Sequence, residues 1–269
     1  MAASPSSSLD ALRAEIRAIE RGGPVAAARP AVSFGLAAVD EKLAGGGLLP
    51  ALHEAAAASA APGDDAAATL FLAALAARFS RSGSRDQVLW AVARRDLFAP
   101  GFAQAGLTPE RLLFARCRDD AETLAVMEEG VRHGSLAAVL GEVGRADMAA
   151  TRRLQLAAEE SGTPAFLLRR WRKTGSDPLA APSAACTRWR ICCAPSARLP
   201  FGIDAFDGIG RARWQVALVR QRGAPPHDWL MEAPDGEARF ALPAAAGDRT
   251  DRQGGEERRA AGRGRDPLR

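Results

Sequence analysis

Short apolar segments alternate with amphipathic segments through the middle of the chain, and this alternation constrains the fold more than any other feature. Strands are predicted at 87–92, 112–115, 136–140 and 165–168. Helical periodicity between them predicts helices at 119–133 and 146–161, which Gly134 and Gly162 end. Because apolar strands joined by helices form parallel sheets covered on both faces, we predict an α/β fold with a mostly parallel central sheet flanked by helices.

The pattern changes beyond residue 185, where strands follow one another without long helices between them. These predicted strands lie at 188–192, 214–219 and 229–232. They favour an antiparallel extension of the sheet at its C-terminal side. We therefore divide the chain into an N-terminal helix and linker (1–30), a core (31–246) and a polar tail predicted to be disordered (247–269).

The first predicted helix carries one apolar stripe. The stripe consists of Leu9, Leu12, Ile16 and Ile19, at spacings of three and four residues. A detached amphipathic helix needs a surface to cover. It either packs on its own domain or docks on a partner, and the pattern leaves both interpretations open.

Composition excludes several classes of protein. With 47% hydrophobic and 25% charged residues, the chain is typical of a globular protein. The longest apolar run, 66–77, is too short to cross a bilayer, and the N-terminus lacks the features of a signal peptide. The three histidines and four cysteines lack the spacing of metal ligands, so we predict no metal site. We expect a cytoplasmic protein that contacts no membrane.

Residues 61–68 have the length and place of a phosphate-binding loop but the wrong residues. They follow a predicted strand at 52–55 and lead into a helical run. A working loop needs Gly at 61 and 66, Lys at 67 and Ser or Thr at 68, and all four positions are Ala. The degenerate loop comprises Ala61, Gly63, Asp64, Asp65, Ala66, Ala67 and Ala68. The alternative is an ordinary Ala-rich helix with an acidic N-terminus.

Two further observations argue against nucleotide binding by this chain. The only lysines are Lys42 and Lys173, and neither follows a glycine-rich loop. Asp64 and Asp65 would repel phosphate, and they could themselves occupy the N-terminus of the helix as internal anions. We expect no cofactor and no ATPase activity.

A basic stretch between Arg145 and Arg222 holds fourteen basic and six acidic residues. Arginines interleaved with tryptophan can contact phosphates and stack on bases. The candidate DNA-binding residues are Arg145, Arg152, Arg153, Arg169, Arg170, Trp171, Arg172 and Lys173. The alternatives are contact with an acidic protein, or a strand on which Arg188 and Arg190 are solvated while Trp189 fills the core.

The order of these elements resembles the RecA-type recombinase core, and more specifically the ImuA family of RecA-like accessory proteins in bacterial damage-induced mutagenesis. The resemblance covers Leu9 to Phe240. It rests on the order and spacing of several segments: 34–40 with 45–48 ahead of the first strand, 52–54, 88–90, 140–143, 153–158 and 214–220.

Comparison with active recombinases implies three losses. Ala67 stands where they have the phosphate-gripping lysine, and Ala68 where they have the magnesium-binding hydroxyl. Gly141 and Glu142 follow the strand that usually ends in a metal-associated Asp. Residues 93–95, Ala-Arg-Arg, stand where recombinases have a catalytic Glu.

The resemblance implies a non-catalytic adaptor in translesion DNA synthesis during the SOS response to DNA damage. The implied partners are an ImuB-type Y-family-like protein, an error-prone C-family DNA polymerase and, as a further candidate, RecA itself; DNA is a candidate ligand. Two alternatives stay open: a DNA-dependent ATPase of RecA type with an atypical phosphate loop, and a SulA-like inhibitor of cell division.

Overall fold

A computed structural model describes residues 30–94, 96–171, 177–200 and 207–243. The helices are α1 (Ala37–Asp40), α2 (Pro62–Arg81), α3 (Ala99–Gln104), α4 (Asp120–His133) and α5 (Met148–Ser161), with a 3₁₀ turn at Pro109–Arg111. The strands are β1 (Leu52–Ala57), β2 (Val88–Val92), β3 (Leu112–Arg116), β4 (Ala138–Val143), β5 (Ala165–Arg169), β6 (Thr187–Ala194), β7 (Arg198–Pro200), β8 (Asp207–Ile209), β9 (Arg213–Gln221) and β10 (His227–Glu232).

Eight of these strands form one sheet in the order β10-β9-β6-β1-β5-β4-β2-β3. The six strands from β6 to β3 in that order run parallel, whereas β9 and β10 pair antiparallel. Strands β7 and β8 form a separate antiparallel pair. The predicted α/β fold class is confirmed: a mostly parallel sheet is flanked by helices and extended antiparallel at its C-terminal side.

Local capping signals explain where the two helices on one face of the sheet begin and end. The side chain of Asp119 accepts the Glu122 N–H at the start of α4, and Asp147 accepts the Ala150 N–H at the start of α5. Gly134 and Gly162 follow these helices with φ of 75° and 67°, a left-handed conformation that glycine adopts without steric cost. The predicted helices are confirmed to within two residues.

Helix α2 covers the opposite face of the sheet and carries the larger core. Small residues along α2 let it approach the sheet closely, and Phe71 and Leu72 fill the space next to Phe34 and Trp189. The indole of Trp189 is fully buried, as in the alternative interpretation of its strand. Helices α4 and α5 bury Met127 and similar residues against the other face. The sheet is therefore covered on both faces, and the carboxyl ends of its parallel strands meet at one edge.

Sequence patterns missed the shortest elements. Helix α3 and the β7–β8 pair have too few residues to show a period, so neither was predicted. No helix in the described part of the chain is long and apolar enough to cross a membrane.

Candidate functional site

The candidate site lies at the carboxyl edge of the parallel strands, where β1 leads into α2. In open α/β sheets, ligands bind at this edge. The loop between β1 and α2 is short, comprising residues 58–61, and α2 begins with Pro62 at its first position, where proline is favoured. The strands β4 and β5 end beside it and bring Glu142 and Arg170 to the same place.

The predicted register of the phosphate-binding loop is wrong. Of residues 61–68, all but Ala61 belong to the first two turns of α2, and Ala67 and Ala68 are buried in the core. The alternative interpretation, a helix with an acidic N-terminus, describes this segment. The reason is that Pro62 starts the helix four residues earlier than a loop ending at 68 allows.

Moving the motif by four residues does not restore it. A loop that starts at Ala57, the end of β1, would place Pro62 at its second glycine, Gly63 at its lysine and Asp64 at its hydroxyl. Both registers therefore lack the lysine that grips phosphate and the hydroxyl that binds Mg²⁺. The inferred loss of these groups does not depend on the register.

A carboxylate of the protein accepts a hydrogen bond from a backbone N–H next to the α2 N-terminus. Asp64 accepts a hydrogen bond from Ser59 Oγ at 2.6 Å and another from the Cys193 N–H at 2.8 Å. Burial alone would raise the pKa of Asp64, but these hydrogen bonds outweigh it and lower the pKa below its usual value. The helix dipole also favours an anion here. Asp64 thus occupies a place that phosphate would need.

A second carboxylate group is held by an arginine. Arg170 Nη2 and Nε donate to Glu142 Oε2 at 2.9 and 3.1 Å, and Arg170 Nη1 donates to Asp65. The other oxygen of Glu142 accepts from Trp90 Nε1 at 3.1 Å. We call Asp65, Trp90, Glu142 and Arg170 the carboxyl-edge cluster.

This cluster does not fit ATP and Mg²⁺. Burial raises the pKa of Glu142, against the opposing effect of Arg170, so the carboxyl is less ready to bind a cation than an ordinary glutamate. Both of its oxygens already accept hydrogen bonds from Arg170 and Trp90. No group of three or more metal-ligating side chains occurs among the described residues. The position of a metal-associated Asp is thus occupied by an internal ion pair.

The opposite face of the sheet contains a buried triad, which we define as Glu54, Arg169 and Arg188. Glu54, on β1, accepts from Arg169 Nη1 at 3.1 Å on one side and from Arg188 Nε at 2.7 Å on the other. Both arginines lie on the strands that pair with β1. Arg169 Nε and Arg188 Nη2 are buried without a hydrogen-bond partner.

The structure contradicts part of the predicted DNA-binding set. Arg169 and Arg170 are buried and bind carboxylates of the chain itself, so they cannot contact a phosphate backbone. Trp171 is half-buried and donates its indole N–H to the Ala57 carbonyl oxygen at 3.0 Å. The solvated position predicted for Arg188 is likewise wrong. The physical reason is that β5 and β6 flank β1, whose Glu54 neutralises Arg169 and Arg188, while Glu142 and Asp65 neutralise Arg170.

Three of the predicted arginines remain at the surface. Arg145 and Arg152 are exposed, and exposed Arg153 forms an ion pair with Glu128 at 3.0 Å. Arg172 and Lys173 lie outside the described residues, as does the predicted stripe of Leu9, Leu12, Ile16 and Ile19.

Sequence reasoning missed Glu54, Trp90 and the role of Arg170. One signal could have identified them. A charged residue inside an otherwise apolar strand, such as Glu54 or Arg188, needs a charged partner once both faces of the sheet are covered. The identity of that partner depends on which strands are neighbours.

Comparisons with known proteins found relatives that are similar to most of this chain. No family model matches the chain. Over 210 residues the chain is 38% identical to Protein ImuA of Caulobacter vibrioides strain NA1000 / CB15N, covering 76% of this chain and 84% of that protein. The same figures hold for Protein ImuA of strain ATCC 19089 / CIP 103742 / CB 15. Among solved structures, SulA from Pseudomonas aeruginosa is 23% identical with a TM-score of 0.37, covering 45% of this chain and 98% of SulA. From its identity to Protein ImuA over most of its length, we conclude that the chain belongs to the ImuA family.

Proposed function

We propose that the chain is a non-catalytic accessory protein of damage-induced translesion DNA synthesis, and that it acts in the cytoplasm as an adaptor. Membership of the ImuA family supports a role in damage-inducible mutagenesis at the level of the family. The adaptor role is the finer step. In this role the protein holds its partners together by binding them and hydrolyses no nucleotide.

One observation carries the non-catalytic part of this proposal. Arg170 forms ion pairs with Glu142 and Asp65 where an ATPase would hold Mg²⁺ and phosphate. A nucleotide would have to separate these partners, and breaking a buried pair by removing one partner typically costs about 3–5 kcal/mol. Asp64 would add repulsion at the helix N-terminus, and residues 57–68 contain no lysine to offset it.

The partners follow from the family resemblance. We propose an ImuB-type Y-family-like protein and an error-prone C-family polymerase as the principal partners, with RecA as a third. The predicted stripe of Leu9, Leu12, Ile16 and Ile19 is the first docking surface to test, because an amphipathic helix with one apolar face is a common recognition element.

Blocking the loop between β1 and α2 separates the adaptor from an ATPase. Ala60 and Ala61 are exposed there, so Ala60→Glu with Ala61→Glu adds two charges facing any triphosphate without disturbing the core. We expect the variant to restore damage-induced mutation frequency in a deletion strain as well as the wild type does. Ser82→Glu with Ser84→Glu, exposed residues beyond the far end of α2, is the matched control.

Two outcomes would contradict the proposal. Loss of mutagenesis in the Ala60→Glu, Ala61→Glu variant alone, with saturable Mg²⁺-dependent ATP binding by purified wild type, would favour the ATPase. Co-purification from damaged cells tests the adaptor role directly. We expect a translesion polymerase among the bound chains, whereas recovery of a cell-division protein in its place would favour a SulA-like inhibitor.

A further inference from the structure

Strand β3 is an unpaired, apolar edge of the main sheet. It pairs only with β2, and no other described strand lies on its outer side. Phe114 is 50% exposed and Leu113 on the opposite face is 49% exposed. Such an edge is a template for pairing with another strand, and monomeric proteins usually protect it with charges or bulges.

The opposite edge of the sheet differs. Strand β10 forms a bridge from Glu232 to Ala241, and it carries Asp228 among its outward-facing residues. A neighbouring segment and a charge therefore protect the β10 edge from pairing with another strand. Strand β3 forms no such bridge among the described residues, and its one charged residue, exposed Arg116, lies at its C-terminal end.

The backbone of β3 offers its free hydrogen-bonding groups at regular positions. The Cys117 N–H donates to the Val92 carbonyl at 2.8 Å, so residue 117 faces β2. Because backbone groups alternate sides along a strand, the N–H and C=O groups of Phe114 and Arg116 and the C=O group of Leu112 point away from the sheet, whereas the Leu112 N–H donates to the Pro109 carbonyl oxygen within the chain. These three residues are symmetric about Phe114.

We propose that β3 binds β3 of a second copy of this chain, antiparallel, with Phe114 on the two-fold axis. This register places Leu112 opposite Arg116 of the second copy. The two Phe114 residues exchange backbone hydrogen bonds, and the Arg116 N–H of each copy donates to the Leu112 carbonyl oxygen of the other. The two Phe114 rings then lie side by side on one face, and Leu113 packs against Ala115 on the other. A two-fold interface must be self-complementary, and this strand meets that condition.

Charge supports the same register. Glu110, in the 3₁₀ turn before β3, and Arg118, just beyond β3, lie four residues before and after Phe114, so the two-fold axis places the start of one strand, next to Glu110, beside the end of the other, next to Arg118. The Arg118 side chain is 87% exposed. Its Nε serves Glu122, and a guanidinium has further N–H donors for a second carboxylate. A strand from an unrelated protein would not be matched to this symmetry.

The expected affinity is modest. Pairing two five-residue strands with a few exposed apolar side chains buries less accessible surface than the roughly 1,200 Å² that stable interfaces bury. We therefore expect a dimer with Kd on the order of micromolar. Sedimentation equilibrium of the full chain over a wide concentration range should show reversible dimerisation. Phe114→Lys should raise Kd about tenfold or more, because it places two like charges on the axis. Leu230→Lys is the matched control, since it also replaces an exposed apolar residue with lysine but lies on β10. It should leave Kd unchanged.

Crosslinking tests the register. In a background with Cys192→Ser and Cys193→Ser, Phe114→Cys should form an intermolecular disulfide, since opposed Cα atoms lie about 5.5 Å apart in a hydrogen-bonded antiparallel pair. Leu113→Cys should not, because Leu113 faces Ala115 of the second copy. The proposal is overturned by a wild type that stays monomeric, by equally tight dimers of folded Phe114→Lys, or by crosslinking through Leu113→Cys in place of Phe114→Cys. Protection of β3 only when a polymerase partner is added would also overturn it, in favour of strand addition by that partner.

Discussion

Arg170 and Glu142 form a buried ion pair, with Arg170 Nη2 2.9 Å from Glu142 Oε2, at the edge of the sheet where parallel strands end. The pair joins two neighbouring strands, because Glu142 lies in β4 and Arg170 directly follows β5. Trp90 on β2 and Asp65 on α2 complete the carboxyl-edge cluster. An edge that binds ligands in many α/β proteins is therefore closed here by contacts within the chain.

Removing the cation of this cluster should destabilise the fold strongly. Arg170→Met leaves the buried Glu142 carboxylate without its partner, which typically costs about 3–5 kcal/mol in the free energy of unfolding. Urea denaturation measures the change. Arg152→Met, at an exposed position, is the control and should alter stability by less than about 0.5 kcal/mol.

Neutralising Glu142 at the same time should recover part of that loss. We expect Arg170→Met with Glu142→Gln to unfold at a higher urea concentration than Arg170→Met alone, because no charge is then left unpaired in the core. Additive effects of the two substitutions would show that the two side chains do not stabilise one another.

His53 should make the stability depend on pH. Burial lowers the pKa of His53 from 6.5 to about 4, despite the opposing hydrogen bond to the Leu49 carbonyl. Between these values the unfolded chain binds the proton more readily than the folded chain. His53 thus stabilises the fold above pH 6.5, and that contribution, about 3 kcal/mol, is lost as the pH falls towards 4.

The variant His53→Gln isolates this effect. Glutamine does not titrate, so the difference in unfolding free energy between wild type and variant should shrink as the pH drops through this window. The raised pKa of Glu142 acts in the opposite direction, and it is common to both proteins and cancels in the difference. A pH-independent difference would show that His53 is not buried in its neutral form.

Any DNA binding should depend on the members of the predicted DNA-binding set that are exposed, Arg145, Arg152 and Arg153. Arg145→Glu with Arg152→Glu should weaken binding to DNA and reduce the slope of log K against log salt by about 1 for each lost phosphate contact. Fluorescence anisotropy at several salt concentrations measures both. Arg94→Glu with Arg239→Glu, exposed residues outside the basic stretch, changes the net charge equally. An identical loss in both variants would indicate an effect of net charge alone.

The predicted N-terminal stripe should bind a partner. Leu12→Asp with Ile16→Asp places charges on the stripe and should abolish capture of the partner, whereas the circular dichroism of the core stays unchanged. Ala14→Asp with Ala18→Asp adds the same charge on the opposite side of the helix predicted from the sequence and should have no effect. Full binding by the stripe variant would leave packing on its own domain as the interpretation.

Local sequence signals predicted the fold because they act within one element. Asp119 and Asp147 cap helices through contacts three residues away, and Gly134 and Gly162 adopt the left-handed conformation that ends them. Strand positions followed from apolar runs. The acidic N-terminus of α2 was also visible in Asp64 and Asp65, but its place relative to the loop was not, because Pro62 allowed the helix to start earlier.

The sequence by itself determined the order of strands and helices along the chain and the absence of lysine from residues 57–68, since each is a property of residue type or of nearby residues. Only the tertiary structure decided which carboxylates the buried arginines contact. Arg170 meets Asp65 across 105 positions of the chain, and Arg169 and Arg188 meet Glu54 because β5 and β6 lie on either side of β1. Strand order sets these partners, and a charge taken out of water is stabilised only by the group that the fold brings within reach.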